Sequence, residues 1–179
     1  QTRLGLHVTQ EELDIWRQRA VSGPYRVAND AGAPSTTPGD WTRIVNNKNS
    51  FMTNPSAELY VGYTGMGCVP RGLMSIEPRA LGHKVRDAAF YSLVMNDATV
   101  RAQVLSYLLS QIVQSGVRFS DTSKWCLGPD TRLNDLNPGF FLAEWGHRVL
   151  HAYDYIRSSV ATTDRDKIDA WFIAAGEYF

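Results

Sequence analysis

Apolar residues recur every three or four positions along most of the chain, and the breaks between these runs carry caps and turn residues. Thr9-Gln10-Glu11-Glu12 reads as a capping box, and Leu13, Trp16, Arg17 and Ala20 follow on one face before Gly23-Pro24 stops the helix. A loop rich in Ala, Gly, Pro, Ser and Thr runs from Ala28 to Gly39. Asp40 then caps a second helix with Trp41, Ile44, Val45 and Phe51 inward, which ends before Pro55. A third helix is expected to open at Pro78, whose fixed φ suits a first turn, with Leu81, Val85, Ala88, Ala89, Leu93 and Val94 as its stripe. Asn96-Asp97 breaks that run, and Asp97 caps a fourth helix that carries Val100, Val104, Leu105, Leu108, Leu109, Ile112 and Val113 up to Gly116. The fifth is expected from about Gly139 to Ser158, with Phe141, Trp145, Val149, Ala152, Tyr153 and Ile156 inward. Thr163 or Asp164 starts a sixth, which turns Ile168, Trp171, Phe172 and Ala175 to the core.

Period-two alternation is almost absent, so the pattern predicts an all-α chain. Helix, short turn, helix and long aromatic loop follow one another, a rhythm that stacks as antiparallel helix hairpins. Two stretches show neither period, 56–77 and 118–138. The last helix ends on Phe179 with no Gly, no basic last turn and no polar tail. We therefore expect residues 1–179 to form a single helical domain that is the N-terminal part of a larger fold.

Composition narrows the function classes. The chain has 179 residues, 44% hydrophobic and 20% charged, which suits a packed globular core rather than disorder. Lys plus Arg and Asp plus Glu balance at 18 each, so no overall basic footprint points to nucleic acid or an anionic membrane. A local Arg cluster can still grip an anionic sugar. No run approaches the roughly 20 apolar residues of a membrane span, and the start Gln1-Thr2-Arg3-Leu4-Gly5-Leu6-His7 lacks a signal-peptide core. Because the first residue is Gln, the chain is expected to be processed or cut. The two cysteines permit one disulfide or two free thiols. Cys68 and Cys126 both fall in long loops on what would be one rim of the hairpin array, and we expect them bridged.

The candidate chemistry lies in two places. The loop from Tyr60 to Gly72 mixes Gly62, Gly65 and Gly67 with Tyr63 and Arg71. Glycines allow close backbone approach, Tyr offers a flat face with a hydroxyl, and Arg offers a fork for a carboxylate. The same composition also fits an ordinary surface loop pinned by a disulfide. The fifth helix carries Glu144, His147, Arg148, His151 and Asp154, of which Glu144, His147 and His151 can share one face. A di-metal carboxylate site needs a second Glu-x-x-His pair on another helix, which the sequence lacks, so no metal is expected. Hydrogen bonds across neighbouring helices are the plainer role for this polar face, and a sugar-facing role for His147 or His151 is the sharper one. Trp125, in a loop, is the better exposed stacking platform, since the other tryptophans fall on helix stripes. There is no phosphate-binding loop, nucleophile elbow or Cys-x-x-Cys pair, and no cofactor is expected.

The run Phe140-Phe141-Leu142-Ala143-Glu144-Trp145-Gly146-His147-Arg148-Val149-Leu150-His151-Ala152-Tyr153-Asp154-Tyr155-Ile156 and the stretch Asp164-Arg165-Asp166-Lys167-Ile168-Asp169-Ala170-Trp171-Phe172 resemble the helical domain of alginate lyases and related polysaccharide lyases. Val85-Arg86-Asp87-Ala88-Ala89-Phe90-Tyr91-Ser92-Leu93, followed by Asp97-Ala98-Thr99-Val100, adds to the resemblance. It implies an incomplete (α/α) toroid of helix hairpins with long aromatic loops. It also implies β-elimination on alginate or a related polyuronate: Tyr or His removes the C5 proton while Asn, His or Arg neutralises the adjacent carboxylate. The groove candidates are Tyr63, Arg71, Trp125, Trp145, His147 and His151, with the Tyr63–Arg71 loop expected as a lid. The Asn-Asn-His motif of that family is missing, since Asn46-Asn47 is followed by Lys48, so the catalytic residues stay unassigned. The implied partner is an acidic polysaccharide, together with the remainder of the same protein or a larger assembly, and the implied location is secreted or periplasmic. The alternative is a non-catalytic structural or carbohydrate-binding subunit, for example of a virion or cell-surface assembly. A helical adaptor for protein partners is a third, weaker reading.

Overall fold

Caps set where the helices begin. In the computed structural model, the Thr9 hydroxyl accepts from the Glu12 amide at 3.2 Å, while the Glu12 carboxylate accepts from the Thr9 amide and hydroxyl at 2.9 Å each. The structure describes Gly5 and residues 8–21, 40–54, 71–114 and 138–178, with 71–81 and 138–145 seen through their helical backbone. The described residues hold six α-helices and no strand: α1 (Gln10–Val21), α2 (Asp40–Thr53), α3 (Arg71–Val94), α4 (Ala98–Tyr107), α5 (Pro138–Ile156) and α6 (Thr162–Tyr178). None is long and apolar enough to cross a membrane.

Two expectations about helix extent need correction. α3 begins at Arg71, seven residues before Pro78, so Arg71 belongs to a helix and not to the glycine-rich loop or to a lid made from it. Pro78 removes the bond that its own nitrogen would donate to the Met74 carbonyl and crowds that carbonyl, yet the helix continues through it. Leu73, Met74 and Glu77 around it are good helix formers. The fourth helix also does not run as α-helix to its end, because Leu108–Gln114 continues it as a π-helical segment.

One turn couples α3 to α4. Asn96 takes the left-handed conformation, φ 52°, which Asn tolerates better than other side chains. The Asp97 amide then reaches back to the Ser92 carbonyl at 2.9 Å, closing α3 in the manner of a Schellman cap. The Asp97 side chain accepts from the amides of Thr99 and Val100 at 3.0 Å, opening α4. Arg17 and Arg101 donate to the last α3 carbonyls, at Leu93 and Val94 and at Ser92 respectively, where the helix dipole favours cations.

The core joins α2 to α6. Val85, Ala88 and Ala89 of α3 meet Val149, Ala152 and Ile156 of α5, with Phe51, Val104, Leu108 and Ile168 completing the cluster, all buried. The alanines leave room for α3 and α5 to pack closely along their length. Each fully buried Val, Leu, Ile or Phe here contributes about 1.5–3 kcal/mol relative to exposure. Trp171, Phe172 and Ala175 of α6 lie half-buried against this cluster, while Ile173 stays 63% exposed. Burial, helped by a hydrogen bond of 2.7 Å from the Tyr153 hydroxyl to Asp169, pushes the phenol pKa up to about 12, and that bond ties α5 to α6. A smaller cluster of Val8, Leu13 and Val94 seats α1 on the end of α3, with Trp16 edge-on to Phe90 at 5.0 Å.

α3 and α5 run in the same direction. Phe90 meets Tyr155 at a ring separation of 5.3 Å, and seven residues earlier on both helices His83 lies within the field of Arg148. An opposite direction would move one of those two pairs far out of reach.

Candidate functional site

The polar face of α3 is written at helical spacing. His83, Arg86, Asp87 and Phe90 are related by i, i+3, i+4 and i+7 and lie on one side of the helix, bordering the apolar stripe. α2 brings Asn47 to this face, and α5 brings Arg148 and Tyr155. Asp87 is 2% exposed. Its carboxylate accepts from Asn47 Nδ2 at 2.7 Å, from Arg86 Nε at 2.9 Å and from Arg86 Nη2 at 2.7 Å. A buried carboxylate without such donors would be prohibitive, so this triad is a condition of the packing between α2 and α3.

His83 sits half-buried at the edge of this group. Burial depresses its pKa first, and the charges of Arg148, Arg86 and Arg43 push it further down against the opposing pull of Asp87. The imidazole is therefore neutral at pH 7 with one nitrogen free to take a proton. Tyr155 is held in its protonated form by burial, with Asp154 and Asp87 adding to the upward shift and Arg86 opposing it. A neutral imidazole in the field of these guanidiniums has the protonation state of a general base.

The residues expected from the sequence are placed unevenly. Tyr63, Trp125, Cys68 and Cys126 lie outside the described residues, so the lid tyrosine, the stacking platform and the disulfide stay as sequence expectations. Arg71 is the first residue of α3 and Trp145 lies within the first half of α5. His147 and His151 do come together on α5, with ring centroids 4.3 Å apart, and His151 is 6.4 Å from the Tyr155 ring. His147 is exposed and His151 half-buried, so they form one histidine–tyrosine stripe on α5. Asp154 is 7% exposed, and Gly5 lies so close that a Cβ there would sit 2.7 Å from both carboxylate oxygens. Among the described residues, no three His, Cys, Asp or Glu side chains converge as a metal-binding group.

Sequence reasoning missed Arg43, Asn47, His83, Arg86, Asp87 and Tyr155. The signal on α3 was present as His-x-x-Arg-Asp, polar residues abutting an apolar stripe, but such a face reads as solvated until two other helices cover it. Comparison with protein-family models, with curated proteins and with solved structures finds no match.

Proposed function

We propose that the chain carries part of the substrate groove of a polysaccharide lyase that cleaves alginate or a related polyuronate by β-elimination, within an (α/α) toroid. The observation that carries the reading is His83, a neutral imidazole within the field of Arg43, Arg86 and Arg148. In this reaction His83 takes the C5 proton, the electron pair forms the C4–C5 double bond, the C4–oxygen bond breaks, and water protonates the leaving oxygen. The C5 proton becomes acidic enough only when the adjacent carboxylate is neutralised, which is the role given to Arg148. Support for the toroid comes from the shared direction of α3 and α5, since helices one hairpin apart in a ring of hairpins run the same way and need a return segment, here α4 and its π-helical extension, between them.

The test is formation of the unsaturated uronate product from alginate and other polyuronates, followed by its ultraviolet absorbance. His83→Gln should lower kcat by about a hundredfold or more. Arg148→Ala should lower kcat/KM by about tenfold or more, with part of the loss in kcat, because the contact strengthens as charge develops on the carboxylate. Wild-type protein that binds a polyuronate and yields no such product would remove the enzyme and leave the carbohydrate-binding subunit.

A further inference from the structure

A cavity of about 200 Å³ lies where α1, the end of α3, the start of α4 and the end of α5 meet. It is separate from the His83 cluster, with only Tyr155 belonging to both, and it does not depend on the lyase reading. Its walls include Arg17, Arg101, Asn96, Tyr155, Ser158 and Ser159, with Leu13 and Leu93 supplying an apolar part.

The two guanidiniums are brought together because both cap α3. Arg17 donates from Nε to the Val94 carbonyl at 3.2 Å and from Nη2 to the Leu93 carbonyl at 3.4 Å. Arg101 donates from Nη2 to the Ser92 carbonyl at 3.2 Å and to Asn96 Oδ1 at 3.0 Å. These bonds hold the two guanidiniums in place without engaging every N–H group. Among the described residues, Arg101 Nε and Nη1 make no hydrogen bond, and Arg17 Nη1 has only Asp14 at 3.9 Å. Arg17, held through Nε and one Nη2 hydrogen, keeps its Nη1/Nη2 end, while Arg101, whose Nη2 makes both of its bonds, can offer a carboxylate single N–H groups from Nε or Nη1. Around them stand hydroxyls and an amide that can bond ligand hydroxyls, and apolar and aromatic surface that can receive the C–H face of a sugar ring.

We infer that this cavity is a binding site for a single sugar acid, its carboxylate on Arg101 and Arg17 and its ring against Tyr155 and Leu13. At about 200 Å³ the cavity lies below the roughly 300–1,000 Å³ of drug-sized pockets, which limits the occupant to a single small unit, and the combination of two cations, hydroxyl partners and an apolar wall fits a sugar acid better than a bare inorganic anion.

Titration calorimetry of the whole chain with D-glucuronate, D-glucose and inorganic phosphate tests this. Glucuronate should bind at least tenfold more tightly than either glucose or phosphate. Arg101→Gln should weaken glucuronate at least fivefold. Ser158→Phe fills the cavity without touching either cap and should abolish binding with an unchanged circular dichroism spectrum, so it decides the matter if Arg101→Gln fails to fold. Glucuronate binding that survives Ser158→Phe, phosphate bound as tightly as glucuronate, or no glucuronate binding at all would each overturn the assignment. The polyuronate cleavage assay reads the His83 cluster separately, so failure there leaves this titration standing.

Discussion

Replacing Asp87 by Ala removes the acceptor on which α2 and α3 are joined. Three donor contacts disappear at once, from Asn47 Nδ2 at 2.7 Å and from Arg86 Nε and Nη2 at 2.9 and 2.7 Å. Breaking a fully buried ion pair by deleting one partner costs about 3–5 kcal/mol, chiefly because the remaining charge is left uncompensated. The Arg86 side chain is 25% exposed, so water recovers part of its solvation and the expected cost falls to about 2–4 kcal/mol. For a chain of this length that corresponds to a fall in Tm of about 4–15 °C. Urea unfolding followed by circular dichroism measures the free-energy change, and a thermal scan measures the shift. Asn47→Ala alone should cost about 1 kcal/mol, the value of one hydrogen bond. The two substitutions together should depart from additivity by about 0.5–2 kcal/mol, because they share a partner. An Asp87→Ala protein within about 0.5 kcal/mol of wild type would refute the reasoning, since it would mean that no uncompensated charge is created.

His83 titrates below the ordinary histidine range, so its folded-state pKa lies under its unfolded one. Between those two values the unfolded chain binds more protons, and stability therefore rises with pH there. The penalty is absent above about pH 6.5 and grows as the pH falls below it; NMR titration of the His83 ring protons should give a midpoint below that of a model histidine, and His83→Gln should flatten the acid side of the stability curve. Asp97→Ala should destabilise by about 1 kcal/mol, as the loss of an N-cap, read by urea unfolding, whereas Asp97→Ser should recover most of that loss.

The parts of the fold legible in the sequence were those decided within a few residues. The capping box at Thr9 and Glu12, the cap at Asp97 and the apolar stripes Val85-Ala88-Ala89 and Val149-Ala152-Ile156 all stand in the structure as their spacing predicts. Pro78 misled because its effect on a helix is a local prior of about 3 kcal/mol, which the neighbouring turns and the packing of a long helix can outweigh. Of the expected groove residues, His147 and His151 could be paired from their i, i+4 spacing, and the structure brings their rings together.

By itself, then, the sequence determined that the described residues are helical, where four of their caps and stripes fall, and that the Val85-Ala88-Ala89 and Val149-Ala152-Ile156 faces turn inward, because a helix is closed by hydrogen bonds four residues apart and its faces repeat with the same short period. The tertiary structure alone decided that Asn47 meets Asp87, that Arg43 and Arg148 act on His83, and that Arg17 and Arg101 converge on the end of α3. Those partners lie on different helices at separations such as the 40 residues between Asn47 and Asp87. No periodicity reports a contact that exists only once two helices have packed, because the polar residues in it look like any solvated face until the neighbouring helix removes the water and turns a surface charge into a buried one.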